Sequence, residues 1–318
     1  MKIVVLDGKT LNPGDNPWDE VAGLGELTVY DRTAPEEIIP RAKDAEIVLT
    51  NKTPLSGETI EQLPNLKFIS VLATGYNVVD VQAASRRGII VSNVPVYATD
   101  SVAQFTFALL LELCHHVAAH DAAVKAGEWS SCPDFCFWKY PLVELAGKQM
   151  GLVGFGRIGR RVGELAHAFG MKVSAADIIR DEKPGYEPFS WADVDEIFAT
   201  SDVVSLHCPQ TPDNVGMVNR ELLGRMKKSA FLINTSRGGL IVEEDLAEAL
   251  NAQKIAGAAL DVVSTEPIKP DNPLLKARNC IITPHIAWAS LDARRRLMKA
   301  TAENISAFIA GAPVNVVS

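Results

Sequence analysis

The chain has no excess of positive charge, no long apolar run, no low-complexity stretch and few cysteines, and each absence removes a class of function. Its net charge is −8 over 318 residues, so the balance carries no electrostatic footprint for nucleic acid or an anionic membrane. No apolar stretch approaches the ~18 residues of a membrane span. Met1-Lys2-Ile3-Val4-Val5-Leu6-Asp7 reads as a strand that begins at once, which leads us to expect no signal peptide. Cys114, Cys132, Cys136, Cys208 and Cys280 are odd in number and scattered, the pattern of free thiols in a reducing cytoplasm. Cys132 and Cys136 have no second Cys or His pair nearby to complete four ligands, so no metal is expected.

What is present is apolar and periodic. Hydrophobic residues make up 47% and charged residues 22%, enough for two ordinary cores in a chain of this length. Lys2–Leu6, Leu27–Tyr30, Ile47–Leu49, Phe68–Val71 and Ile89–Val91 are short β-branched runs, as in strands buried on both faces. Between them Pro35–Ala42, Ser56–Leu63 and Val78–Arg87 read as helices, the last closed by Gly88. Alternation of this kind implies right-handed crossovers and a parallel sheet. Ser101–Ala118 reads as one long apolar helix leading into a second alternating region, and Leu291–Ala310 as a closing helix that returns to the first. The expected organisation is therefore a discontinuous domain, residues 1–99 with 288–318, around a continuous insertion, 100–287. The stretch Gly127–Pro141, with Trp129, Phe135, Phe137, Trp138 and Tyr140, is too aromatic for a free loop; it suits an arm over a partner subunit or over the site.

In the insertion, Gly154-Phe155-Gly156-Arg157-Ile158-Gly159 follows the apolar run Gln149–Val153 and opens a helix, and the next strand ends at Asp177. Each piece has a physical job in dinucleotide binding. Gly154 permits the turn, Gly156 lets the backbone approach a pyrophosphate, and Gly159 lets helix and strand pack closely. The phosphates then meet unpaired amides at the positive end of the helix dipole. Asp177 is placed to accept hydrogen bonds from ribose hydroxyls and would repel a 2′-phosphate, so NAD is expected over NADP. Arg180 reads as a solvated loop charge, with partial relief of that repulsion as the alternative.

Three polar groups follow strands on the edge where ligands sit in open α/β sheets. In Asn234-Thr235-Ser236-Arg237, Arg237 follows the strand Phe231–Ile233; Glu266 follows the strand Gly257–Val262; and His285 follows the last strand, Cys280–Thr283. Taken singly, each has an ordinary alternative: a surface charge, a helix start, a turn histidine. Together they suit a 2-oxo acid. The Arg binds a carboxylate in bidentate fashion, the His gives a proton to the carbonyl oxygen, and the Glu orients and charges the His. His207, in His207-Cys208-Pro209, lacks a carboxylate segment to pair with and is read as lining the cofactor pocket. The other residues expected on the cofactor are Asn234, Thr235, Ser236 and Asp261.

Across nearly its whole length the chain resembles the D-isomer-specific 2-hydroxyacid dehydrogenase family. The resemblance lies in Gly154–Gly159 with Asp177, in the run Met226–Gly238, in Glu266-Pro267 and in Pro284-His285. It implies an α/β fold of two doubly wound parallel-sheet domains, a Rossmann NAD-binding domain inserted in a flavodoxin-like substrate domain, and a homodimer. It also implies Arg237, Glu266 and His285 as the catalytic set, Thr74 and Gly75 as substrate contacts in Ala73-Thr74-Gly75-Tyr76-Asn77, and Thr99 near the nicotinamide. Within the family, that loop and Phe135-Cys136-Phe137-Trp138 are most similar to glycerate dehydrogenases, also called hydroxypyruvate reductases. The expected reaction interconverts hydroxypyruvate or glyoxylate with glycerate or glycolate. His285-Ile286-Ala287-Trp288 departs from members that carry glycines after the His, and Trp288 is expected to disfavour large substrates. The end at Ser318 leads us to expect no regulatory extension. Two rivals are the same chemistry on 3-phosphohydroxypyruvate (a 3-phosphoglycerate dehydrogenase) and a non-catalytic NAD(H)-sensing binding protein on the same scaffold.

Overall fold

Among the residues that the computed structural model describes, 1–180 and 182–318, the strands form two sheets in which every pairing is parallel. The chain divides into two units, Met1–Ala98 with Trp288–Ser318, and Thr99–Ala287. The first unit holds β1 (Lys2–Val5), β2 (Glu26–Val29), β3 (Ile47–Thr50), β4 (Phe68–Val71) and β5 (Ile90–Ser92), in the spatial order β2-β1-β3-β4-β5. That is the flavodoxin-like order, with its reversal between β1 and β3. β3 and β4 are buried throughout, as strands covered by helices on both faces must be. The closing helix Leu291–Ile309 belongs to this unit, where Leu297, Met298 and Ile305 are buried and Phe308 stacks on Phe68 at 4.6 Å.

Local chemistry sets the helix starts. The expected helix over Val78–Arg87 spans only Val81–Arg86, because the Asp80 carboxylate caps it at Ala83 N (2.8 Å) while Val79 bridges to Leu55. Gly88 ends it with φ +69°. Pro35–Ala42 divides into a single tight turn, Pro35–Glu37, and a short α-helix, Ile38–Ala42.

The second unit holds β6 (Gln149–Val153), β7 (Lys172–Ala176), β8 (Phe189–Trp191), β9 (Val203–Leu206), β10 (Phe231–Asn234), β11 (Gly257–Leu260) and β12 (Cys280–Ile282). Their order, β12-β11-β10-β9-β6-β7-β8, is the Rossmann order with one further strand, and it reverses between β6 and β9. Two apolar clusters cover the faces of this sheet, one around Phe107, Leu110 and Leu152, the other around Phe198, Leu232 and Leu246. β8 has no counterpart in the sequence reading: it is an edge strand of three residues with Ser190 exposed, too short to show a period. The long helix expected over Ser101–Ala118 is two helices, Thr99–His115 and Val117–Lys125, bent by 55° at His116, whose φ is +48°. Beyond it, Trp129, Phe135, Trp138 and Tyr140 are exposed. Among the described residues no single helix is long and apolar enough to cross a membrane.

Candidate active site

The glycine loop joins β6 to the helix Arg157–Ala168. Gly154 has φ +95°, and a Cβ there would overlap the backbone of His207 and Cys208, which leave the neighbouring β9. A Cβ on Gly159 would overlap the Gly154 carbonyl, so the first helical turn rests directly on the loop. Gly156 differs: nothing lies within 4 Å of where its side chain would be. That open face stands at a helix N-terminus with no side-chain cap, so the first-turn amides have no acceptor from the capping residue. First-turn amides without a side-chain cap among the described residues, a glycine with clear space and a helix of three turns fit a pyrophosphate.

At the end of β7 the Asp177 carboxylate takes Phe155 N–H at 2.5 Å and Ile179 N–H at 3.0 Å. It therefore pins the glycine loop, and an ionised carboxylate keeps acceptor capacity beyond two bonds. Arg180 donates from Nη2 to Asp193 (2.7 Å) and the Ala192 carbonyl (3.1 Å), and from Nε to the Asp177 carbonyl (3.1 Å), so it stays beside the end of β7 in an exposed ion pair. His207 sits beneath the loop. Its Nε2 meets Ser205 Oγ at 2.9 Å, while its Nδ1 is shut from solvent without a partner among the described residues. Burial pulls its pKa from 6.5 to about 3, so the ring is neutral and unsuited to carry a proton to substrate. Burial also pushes the Cys208 thiol up, which keeps it protonated. The Pro209 carbonyl accepts from Asn214 Nδ2 at 2.8 Å.

Three loops leave the sheet edge side by side. After β10, Asn234 folds the chain back on itself: its Oδ1 accepts from Ser236 N at 2.9 Å and its Nδ2 donates to the Arg237 carbonyl at 2.9 Å. Arg237 is thereby exposed, its Nη1 donates to the Ser236 carbonyl at 2.7 Å, and no carboxylate pairs with it among the described residues. Thr235 lies inward and shares a hydrogen bond with Thr106 at 3.1 Å. At Gly238 a Cβ would overlap the backbone of Val263 and Ser264, so this loop lies on the one that follows β11 and carries Glu266.

Glu266 and His285, nineteen residues apart, meet at 2.7 Å between Oε2 and Nδ1. No helix begins at Glu266. His285 stands in left-handed backbone, φ +54°, an uncommon state for a residue with a side chain. What holds it there is Asp261. This residue is 1% exposed, and its carboxylate accepts from Thr283 Oγ1 (2.6 Å), Ile286 N (2.9 Å) and Ala287 N (2.8 Å). Its own carbonyl takes His285 N–H at 2.8 Å. Burial raises its pKa against those hydrogen bonds. The sequence places Asp261 among the cofactor residues; in the structure its carboxylate accepts from the loop that carries His285. The clamp had no signal in the sequence, since an Asp that ends a strand looks the same whichever way it faces.

Thr99 is half-buried at the start of the helix Thr99–His115. Thr74, Gly75 and Trp288 belong to the first unit. Just past β4, Thr74 Oγ1 donates to the Val94 carbonyl at 2.9 Å and Gly75 is half-buried. Trp288 lies edge-on to Tyr97, with ring centroids 6.4 Å apart. Among the described residues no group of three or more His, Cys, Asp or Glu could hold a metal ion.

Comparison with known proteins places this geometry in a family. Residues 107–287 match the profile described as D-isomer specific 2-hydroxyacid dehydrogenase, NAD binding domain. The chain is 55% identical to a hydroxypyruvate reductase of Blautia hydrogenotrophica over 100% of both chains. It is 40% identical to a glycerate dehydrogenase of Methylorubrum extorquens, over 99% of this chain and 98% of the relative. Among solved structures it is similar to the D-lactate dehydrogenase of Aquifex aeolicus complexed with NAD and lactic acid. That match has a TM-score of 0.84 and 29% identity, and covers 98% of this chain and 96% of the other.

Proposed function

The chain belongs to the D-isomer-specific 2-hydroxyacid dehydrogenases, NAD-dependent enzymes acting on small 2-oxo and 2-hydroxy acids, and from that premise we propose that it interconverts hydroxypyruvate or glyoxylate with D-glycerate or glycolate, using His285 as acid and base. The observation that carries the reading is the 2.7 Å contact of His285 with Glu266, next to a loop that exposes Arg237. Arg237 offers two parallel N–H donors to the substrate carboxylate. His285 holds a proton at Nε2, the ring atom opposite Glu266, and gives it to the carbonyl oxygen during reduction. Glu266 accepts from Nδ1, which fixes the ring's orientation and leaves Nε2 facing the substrate.

The groups proposed for the dinucleotide are the glycine loop, the first-turn amides of Arg157, Ile158 and Gly159, the Asp177 carboxylate, Thr99, and the backbone of residues 207–209 and 234–236. When bound, the nicotinamide supplies hydride to the carbonyl carbon and takes it back in the reverse direction. The substrate contacts assigned to Thr74, Gly75 and Trp288 belong to the same proposal, and so does NAD over NADP. A panel of 2-oxo acids followed by loss of NADH absorbance tests it. Turnover of hydroxypyruvate and glyoxylate well above branched or aromatic 2-oxo acids is expected. Preference for 3-phosphohydroxypyruvate would move the assignment to that substrate, and no turnover of any 2-oxo acid would leave a binding protein.

A homodimer and a cytoplasmic setting complete the proposal. The free cysteines support a reducing compartment. In the segment 127–141 Phe135 is 89% and Trp138 67% exposed, which supports burial against a second copy. Sedimentation should give a dimer, and Phe135→Asp with Trp138→Asp should shift it toward monomer.

A further inference from the structure

Glu266 and His285 both stand on irregular backbone, and an acid–base pair works only if its geometry is held to a fraction of an ångström. Asp261 accounts for the histidine's loop. The glutamate's loop is held by another buried carboxylate, Glu243, from the start of the helix Glu243–Asn251. Glu243 is 8% exposed. Its Oε1 accepts from Ser264 N at 2.7 Å, and its Oε2 accepts from Ser264 Oγ at 2.9 Å and Asn272 Nδ2 at 2.8 Å. Both hydrogen-bond donors of Ser264 are thus bound to one carboxylate, two residues before Glu266. Asn272 ties the far end of the same segment to the same oxygen. A buried charge is costly unless it is fully hydrogen-bonded, and here every donor it uses comes from the segment around Glu266. Glu266 has weak support of its own from that backbone, Val263 N at 3.4 Å, so its aim follows the segment. The contact between Gly238 and Val263–Ser264 makes the same segment the floor under the Arg237 loop.

We propose that Glu243 is a positioning residue for the acid–base pair, acting through Ser264 to set the segment that carries Glu266 and so the Glu266–His285 hydrogen bond. The inference rests on the reading of His285 and Glu266 as that pair. Glu266 at Nδ1 and Asp261 beneath the loop are charged groups that bear on His285 in this unit, and Arg237 leaves the loop that rests on Val263 and Ser264; Glu243 acts from behind, facing Ser264 and Asn272.

The test is the pH profile of reduction in the full-length protein, read beside NADH binding by fluorescence. Glu243→Gln keeps the volume but turns an amide donor toward Asn272, whose Oδ1 already accepts from Leu274 N. Reduction should fall about tenfold in kcat/KM, and its pH profile should depart from wild type in the same direction as that of Glu266→Gln, because both variants loosen the same hold on Nδ1. The Kd for NADH should stay within about twofold. Ser264→Ala, which keeps the amide bond, should move the profile in the same direction by less, and it serves if Glu243→Gln does not fold. In a Glu266→Gln background, Glu243→Gln should move the profile no further, since both act through one contact. Variants that fold, lose thermal stability and keep a wild-type profile would overturn the inference and leave Glu243 a brace only. If Glu266→Gln alone keeps the wild-type profile, the acid–base reading itself falls; if it shifts the profile while Glu243→Gln and Ser264→Ala do not, only this inference falls.

Discussion

Replacing Asp261 by Asn tests how far the backbone of the histidine loop depends on one buried carboxylate. In wild type, Oδ1 serves Thr283 Oγ1 and Ile286 N, and Oδ2 serves Ala287 N at 2.8 Å, at a residue 1% exposed. Asn keeps one acceptor and turns an NH2 group toward the Ala287 N–H, so one charge-assisted bond is lost and two donors face each other away from water. Such a bond contributes about 1.5–3 kcal/mol, and a buried donor left unpaired costs about 1–3 kcal/mol. Part of this is offset because burial already disfavours the ionised acid, as its raised pKa records. A net loss of about 2–3 kcal/mol is expected, read as a lower urea midpoint at unchanged slope. The catalytic effect should be larger than the stability effect implies, because the two donors lie just beyond His285, whose φ of +54° relaxes when the clamp loosens. A fall in kcat of about 100-fold with nearly unchanged NADH affinity is expected. Unchanged stability would refute the bond accounting; a loss of stability with kcat within about twofold of wild type would refute the claim that the clamp aims the histidine.

Three further outcomes follow from the same geometry. Wild type should favour NADH over NADPH by at least about tenfold in kcat/KM, about 1.4 kcal/mol, and Asp177→Ala should narrow that ratio while weakening NADH itself, because Phe155 N–H loses its 2.5 Å partner. Equal use of both coenzymes by wild type would remove Asp177 as the discriminator. His285→Ala should abolish most reduction at every pH with NADH binding intact, and Glu266→Gln should change the pH profile of reduction; a superimposable Glu266→Gln profile would take Glu266 out of the chemistry. His207 is held neutral, with its pKa brought from 6.5 to about 3, so the unfolded chain binds the extra proton between those values. Stability is full above the unfolded value and is lost as pH falls, by about 2 kcal/mol at about pH 5, and urea midpoints of His207→Asn should show a shallower loss between about pH 7 and pH 5.

The sequence by itself determined what depends on neighbours along the chain. Strand, glycine turn and helix at Gln149–Ala168 are local events, so the dinucleotide loop and Asp177 at the next strand end were legible, as was the alternation that makes both sheets parallel. Arg237, Glu266 and His285 were legible as residues that follow strands on one edge. The tertiary structure decided how such residues meet and what holds them. At the break His116 packs on Tyr140, and β8 packs through Phe189 and Trp191 on Phe155, contacts that no period within three or four residues records. The two carboxylates that hold the pair, Asp261 over Thr283–Ala287 and Glu243 over Ser264–Asn272, reach partners more than twenty residues away. A buried polar group must find its partners wherever the fold brings them, and only the fold says where that is.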